Sequence, residues 1–284
     1  MAGASPLTTE QGLSIDERIV KKARQTLKGR QLMHTFGPVG FGAENFAFDY
    51  LTEMSAGHID VIWGRFTEDI PGLTRTTLPV PVLHKEFRIG RRQLAASKMT
   101  GAPLDTTSID AATYQVCLKE DDLIVQGKTD DSGTSYTISG LYAGAGNGPE
   151  VTADDFGTEA NVYAKLALCE ALLQADNIFP PYNLGLATTQ YNQLLSHCAS
   201  TAVPIKDAVE RRIGGKVFML PDLTDGSGLL LATADQDFFD LIIGVDMTHE
   251  ETELEKSKDC WGIVYECVVP RLKDSNAICS FTGA

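Results

Sequence analysis

Apolar residues recur along this chain at two periods, and each change of period marks a change of element. Ile15, Ile19, Ala23 and Leu27 fall four apart, with Lys21, Arg24 and Lys28 on the other side. That spacing predicts an amphipathic helix over 14–30, opened by a Ser14–Glu17 capping box and ended near Gly29. Ile109, Ala112, Val116 and Leu123 predict a longer helix over 105–126. Asp105, Thr106, Thr107 and Ser108 offer caps at its start, and Gly127 offers a stop. Val162, Leu166, Cys169 and Leu173 predict a third helix over 158–175, and shorter ones follow at 188–197 and 205–213.

Period-two patterning dominates the last third. Strands are predicted at 183–187, 216–220, 229–233, 241–245, 261–269 and 277–281; in the fifth, Trp261, Ile263, Tyr265 and Cys267 alternate with their neighbours. Between Phe46 and Val80 the alternation is weak and broken by Gly57, Gly64, Pro71 and Gly72, which predicts a two-stranded ribbon. Such a ribbon is barely stable alone in water, so it must lie on something. Pro79 and Pro81 keep the following stretch extended as it leads toward the long helix. Residues 1–13 read as a polar arm, 29–42 as turns, and 128–150 as a loop or hairpin. Helices first and antiparallel strands later, without βαβ alternation, give an α+β class.

Composition narrows the field. The chain has 284 residues, 43% of them hydrophobic, enough for a real core and about two domain-sized units. With 24 Lys and Arg against 38 Asp and Glu, the net charge of −14 opposes a nucleic-acid partner, which needs surplus cations. Six scattered cysteines form no CxxC pair, no basic and apolar leader opens the chain, and no apolar run nears the ~18 residues of a membrane span. The expectation is a reduced, cytoplasmic protein with no membrane partner.

Candidate chemistry fails on inspection. Gly144, Gly146 and Gly148 are followed by Pro149, Glu150, Asp154 and Asp155, which put a breaker and negative charge where a phosphate would sit, so a surface loop is expected. Gly214–Gly215–Lys216 lacks the rest of a Walker motif. His249, Glu250, Glu251, Glu253 and Glu255 lack HExxH spacing and read as a solvated acidic turn. No GxSxG elbow occurs, and His34, His58, His84 and His197 are isolated. Neither an active site nor a metal site emerges, so no enzyme is expected; a hydrolase or protease is the weakest alternative.

Several segments carry a resemblance. LKGRQLMHTFGPVG, LPVPVLHKEF, KEDDLIVQG, PYNLGLATTQYNQLL, RRIGGKVFMLP, LIIGVDM and DSNAICSF resemble, in the same order, segments of the family 1 encapsulins. These are bacterial and archaeal shell proteins once described as linocin-type bacteriocins. The resemblance implies the tailed-phage major capsid (HK97-like) fold. It would comprise an arm (1–13), a peripheral domain (14–50, 80–150 and 247–270), an extended loop (51–79) and an axial domain (151–246 and 271–284). It further implies a closed shell of about sixty copies or a multiple of that number, around a cargo enzyme of iron-storage or peroxidase type. The cargo would be held by a short apolar C-terminal tail. By position, Ile15, Ile19, Ala23, Leu27 and Arg30 match the family's cargo groove. His197, Ser200, Thr201 and Ala202 match its pore loop, small and uncharged in the middle. Some relatives hold a flavin against a tryptophan after the position of Phe87; here Arg91 and Arg92 stand there, so no cofactor is expected. A phage or prophage capsid protein of the same fold is the alternative.

Overall fold

The computed structural model describes the chain except residues 1–8, 52–53, 58, 60–69, 101–105, 130–136, 149–154, 199–202, 234–236, 254–258 and 283–284. Helix α1 (Thr9–Thr26) begins five residues before the Ser14–Glu17 box, so part of the expected arm is helical. A Ser-x-x-Glu pattern fits a helix interior as well as its start, and each residue added in front gains one more backbone hydrogen bond. A tight 3-10 turn (Gly29–Gln31) follows, then β1 (His34–Phe36) inside the segment expected to be turns. Strands β2 (Asn45–Leu51) and β3 (Leu73–Pro79) pair antiparallel from Asn45↔Pro79 to Leu51↔Leu73, which is the expected ribbon.

Next come β4 (Val82–Ile89), a helix the pattern did not predict, α2 (Arg91–Thr100), and the long α3 (Thr107–Val125). Helix α2 carries a weak apolar stripe, with Leu94 and Ser97 buried, and this hid it from periodicity. Ile109, Ala112, Val116 and Leu123 of α3 are all buried, as their spacing required. Gly127 then adopts φ +71 and turns the chain into β5 (Gly127–Thr129), which pairs with β6 (Thr137–Ser139). A Cβ at Gly127 would lie 2.2 Å from the Ile138 carbonyl oxygen, so both its conformation and its space require glycine.

The second half is α4 (Glu159–Ala175), β7 (Tyr182–Leu186), α5 (Thr188–Gln193), α6 (Ile205–Ile213), β8 (Val217–Met219) and β9 (Gly228–Ala232). It ends with the long β10 (Phe239–Glu253) and β11 (Cys260–Leu272), then β12 (Ile278–Phe281). Helix α5 stops four residues short of its expected end. The acidic stretch 248–253 is strand, not turn, because it pairs in register with 260–265 of β11. The glycine-rich segment is pinned as well: the N–H groups of Gly146 and Asn147 donate to the carbonyls of Ser275 and Ile278, and Ser280 N–H donates back to Asn147.

Two four-stranded sheets result, ordered β1-β10-β11-β4 and β12-β9-β7-β8. Every residue of β7 and β9 is buried, and α4 covers this sheet through Val162, Leu166, Cys169 and Leu173. On the other sheet, Ile15 and Ile19 of α1 join Ile109, Ala112 and Val116 of α3 over Phe87, Ile89, Cys260 and Val264. Each such side chain removed from water stabilises by about 1.5–3 kcal/mol. Among the described residues no helix is long and apolar enough to cross a membrane.

Candidate functional site

The C-terminal half of α1, the turn after it and a kink in β10 enclose a cleft of about 280 Å³. Val20, Ala23, Leu27 and Met247 supply its apolar lining; Arg30, Gln31 and Asp246 supply its polar edge. The kink has an identifiable cause. Between Val245 and Thr248 the β10–β11 register slips by one residue, and a second slip precedes it between Ile243 and Val245. Extra residues of this kind re-aim side chains, here turning Asp246 toward Arg30 and Met247 into the cleft.

Arg30 is the hub of the cleft floor. Its Nε donates to Glu120 of α3, Nη1 to Asp246 Oδ1 at 2.8 Å, and Nη2 to Glu266 Oε2 of β11 at 2.9 Å. The Glu120 and Glu266 side chains are fully buried, whereas that of Asp246 is 72% exposed. Burial, opposed by the charge of Arg30, pushes Glu120 above the ordinary carboxylate range. Burial and then the neighbouring Glu120 push Glu266 well above it. Burial works against Asp246 too, yet its bond to Arg30 leaves it below its ordinary value.

Asp121, next along α3, accepts from the backbone N–H groups of Lys28 and Gly29 at 2.8–3.1 Å. Burial still raises its carboxyl to about 6. A Cβ at Gly29 would sit 2.9 Å from Ile124 Cδ1 and 3.0 Å from Asp121 Oδ1, so the turn presses closely onto α3. The cleft floor is therefore locked to the body of the subunit by one guanidinium and three carboxylates, with Asp121 fixing the turn.

The residues matched to a cargo groove divide. Ala23, Leu27 and Arg30 line the cleft. Ile15 and Ile19 are 1% and 2% exposed, packed inward over the sheet, and offer no surface to a docking peptide. Val20, one residue round from the buried stripe, is the exposed apolar group of the cleft. The pore-loop positions Ser200, Thr201 and Ala202 lie outside the described residues. His197 is exposed at the base of that loop, which is closed by Cys198 N–H donating to the Val203 carbonyl.

The expected acidic turn is a structured cluster. His249 has its Nδ1 3.0 Å from Asp16 on α1 and its Nε2 3.2 Å from Glu251. The bond to Glu251, against burial and with help from Asp16, raises the imidazole above its usual value. One imidazole shared between two carboxylates ties helix to strand. Among the described residues no group of three or more His, Cys, Asp and Glu is arranged to hold a metal ion. Arg91 opens α2, with its N–H donating to Asp259.

The architecture is that of tailed-phage capsid subunits, the HK97-like fold with peripheral domain, extended loop and axial domain. The virus-like particle of Pyrococcus furiosus superposes with TM-score 0.68 at 15% identity, covering 96% of this chain and 100% of that one. The capsid of Myoviridae phage XM1 gives 0.66 at 15% identity, over 89% and 90% of the two chains. These likenesses define the fold of the chain. The family described as encapsulating protein for peroxidase matches residues 2–259, and the chain belongs to that family. A type 1 encapsulin shell protein of Myxococcus xanthus is 24% identical over 280 residues, 99% of this chain and 95% of that one. A diheme-cytochrome–encapsulin shell fusion protein of Kuenenia stuttgartiensis is 24% identical over 94% of this chain and 71% of its own length. This protein is a structural shell protein and not an enzyme.

Proposed function

We propose that this protomer closes, in about sixty copies or a multiple of them, into a cytoplasmic compartment whose inner wall holds a cargo enzyme by a short apolar tail. The cleft between α1 and the kinked β10 carries the reading. It is small, apolar along one side and polar along the other, and its floor is held rigid by the Arg30 hub. A pre-formed cleft spares the ordering cost a flexible one would impose on binding. A peroxidase is favoured as cargo by the family's own description, and an iron-storage enzyme is the second candidate.

Assembly would fall to the ribbon formed by β2 and β3, taken as the extended loop of residues 51–79. Ile59, Ile70 and Leu73 stand exposed in this segment, apolar groups that the described residues of their own subunit leave uncovered. Obligate interfaces bury about 2,000–5,000 Å², and a neighbouring copy supplies the missing cover. Residues 197–204 would line a pore on a symmetry axis, with the axial domain at 151–246 and 271–284.

Two experiments test these assignments separately. Deleting residues 59–76 should give soluble subunits that do not close; full-sized shells on gel filtration would remove the ribbon from assembly. Val20→Asp should leave shells intact while a tail-bearing cargo no longer co-purifies. Unchanged cargo loading would place the docking site elsewhere.

A further inference from the structure

Where the ribbon leaves the body, one guanidinium gathers an unusual set of groups. Arg271, near the end of β11, stands across the sheet from Asp240 of β10, and the two are register partners. Its Nε donates to Asp240 Oδ1 at 2.7 Å and its Nη2 to Oδ2, a two-pronged pair that is almost wholly buried. Lys273 approaches the same carboxylate at 3.2 Å. The guanidinium carbon then lies 5.5 Å from the ring centre of Phe36 on β1, and 5.1 and 5.3 Å from those of Phe46 and Phe48 on β2.

The geometry is directional. Phe46, Phe48 and Tyr50 occupy alternate positions of β2 and are half-buried, whereas Ala47 and Asp49 between them are exposed, so one face of the ribbon's root is pressed onto the body. Phe36 meets Phe46 edge-on at 5.9 Å, and Tyr50 Oη donates to the Leu272 carbonyl at 2.7 Å. A guanidinium held by a carboxylate has a fixed plane, and rings stacked about it take their orientation from that plane. Further out, the described residues of the ribbon include exposed apolar groups, Ile70 and Leu73.

We infer that Arg271 is a positioning residue for shell closure, setting the angle at which the ribbon leaves the subunit and so the curvature of the wall. This rests on the ribbon being the assembly element. Any tilt at the root recurs at every equivalent contact of a closed symmetric assembly, so a small local error is repeated around the shell and disfavours closure. Phe48 shares the role, since its ring is the ribbon's contact deepest along β2 with the guanidinium.

The test uses full-length Arg271→Met, Arg271→Lys and Phe48→Leu, examined by negative-stain microscopy and light scattering alongside circular dichroism. Subunits of all three are expected to keep the parental spectrum. Closed shells of parental diameter should fall by about tenfold in Arg271→Met, less in Arg271→Lys, which keeps charge but loses the fork. Phe48→Leu leaves the ion pair intact and should still broaden the distribution of diameters. Parental yield and diameter in both Arg271→Met and Phe48→Leu would overturn the inference; if Arg271→Met does not fold, parental assembly by Phe48→Leu alone does so. Loss of closure on deleting residues 59–76, with normal closure of these variants, defeats this inference and spares the ribbon reading. Normal closure of the deletion defeats the reading beneath it.

Discussion

The two four-stranded sheets of this subunit are packed with opposite chemistry. In the sheet of β7, β8, β9 and β12, the central strands are buried throughout and almost wholly apolar, with Asn183 satisfied by the Lys216 N–H. The sheet of β1, β10, β11 and β4 buries charge instead: Glu266 beneath the cleft and the Asp240–Arg271 pair at the ribbon's root. Apolar packing is non-directional and tolerates small shifts, so the first sheet supplies a stable body. A buried ion cluster adds little net stability over an apolar core, but a member left without its partner is costly. The second sheet therefore fixes the geometry of the cleft floor and of the ribbon's root.

The largest expected effect breaks the charged side. Arg30→Met strands Glu120 and Glu266 in the interior and should cost about 3–5 kcal/mol, measured by urea unfolding of unassembled subunits. Leu230→Ala, a fully buried truncation in the dry sheet, should cost about 3 kcal/mol. A smaller loss for Arg30→Met than for Leu230→Ala would mean the cluster tolerates misplacement and the contrast fails.

A pH series sharpens the same contrast. Glu120, Glu266 and Asp121 all titrate higher in the folded subunit than in the unfolded chain, Asp121 at about 6. The folded state then binds more protons once pH exceeds the ordinary carboxylate value, so stability falls as pH rises. His249 adds to the trend: its folded value is raised, so its contribution is present in acid and lost as pH climbs through that value. Subunits should melt higher at about pH 5.5 than at about pH 8. Glu266→Gln should flatten that slope. A parental slope in that variant would show that Glu266 contributes nothing to it.

The smallest effect is expected at the ribbon. Arg75 and Asp49 form a two-pronged pair at 2.7 and 3.0 Å, but both lie in solvent. Exposed pairs of this kind contribute little. Arg75→Ala should leave the melting temperature unchanged, and a clear drop would show that the ribbon is part of the cooperative core.

Much of this was legible in periodicity. The stripes of α1, α3 and α4 are buried as their spacing required, and the ribbon pairs where weak alternation placed it. The cleft was half legible. The spacing of Ile15, Ile19, Ala23 and Leu27 showed a face, but not that its first two members seal a core while Val20 reaches the cleft. Nor could spacing show that Glu120 and Asp121, polar residues on a helix, point inward, because Arg30, the partner of Glu120, lies 90 positions away in sequence and the N–H groups that Asp121 accepts from, those of Lys28 and Gly29, are as remote.

The amino-acid sequence determined where most of the helices and strands form, since those depend on residues within a turn or two of one another; helix α2 and the strand at 248–253 needed packing and pairing as well. It also determined the family, since that rests on ordered segments spread along the whole chain. Tertiary structure decided which charges are buried, which side of α1 is free and how Arg271 holds the ribbon. Those outcomes depend on groups brought together from distant parts of the chain, and burial sets the strength of a charge only after the fold has placed its partner.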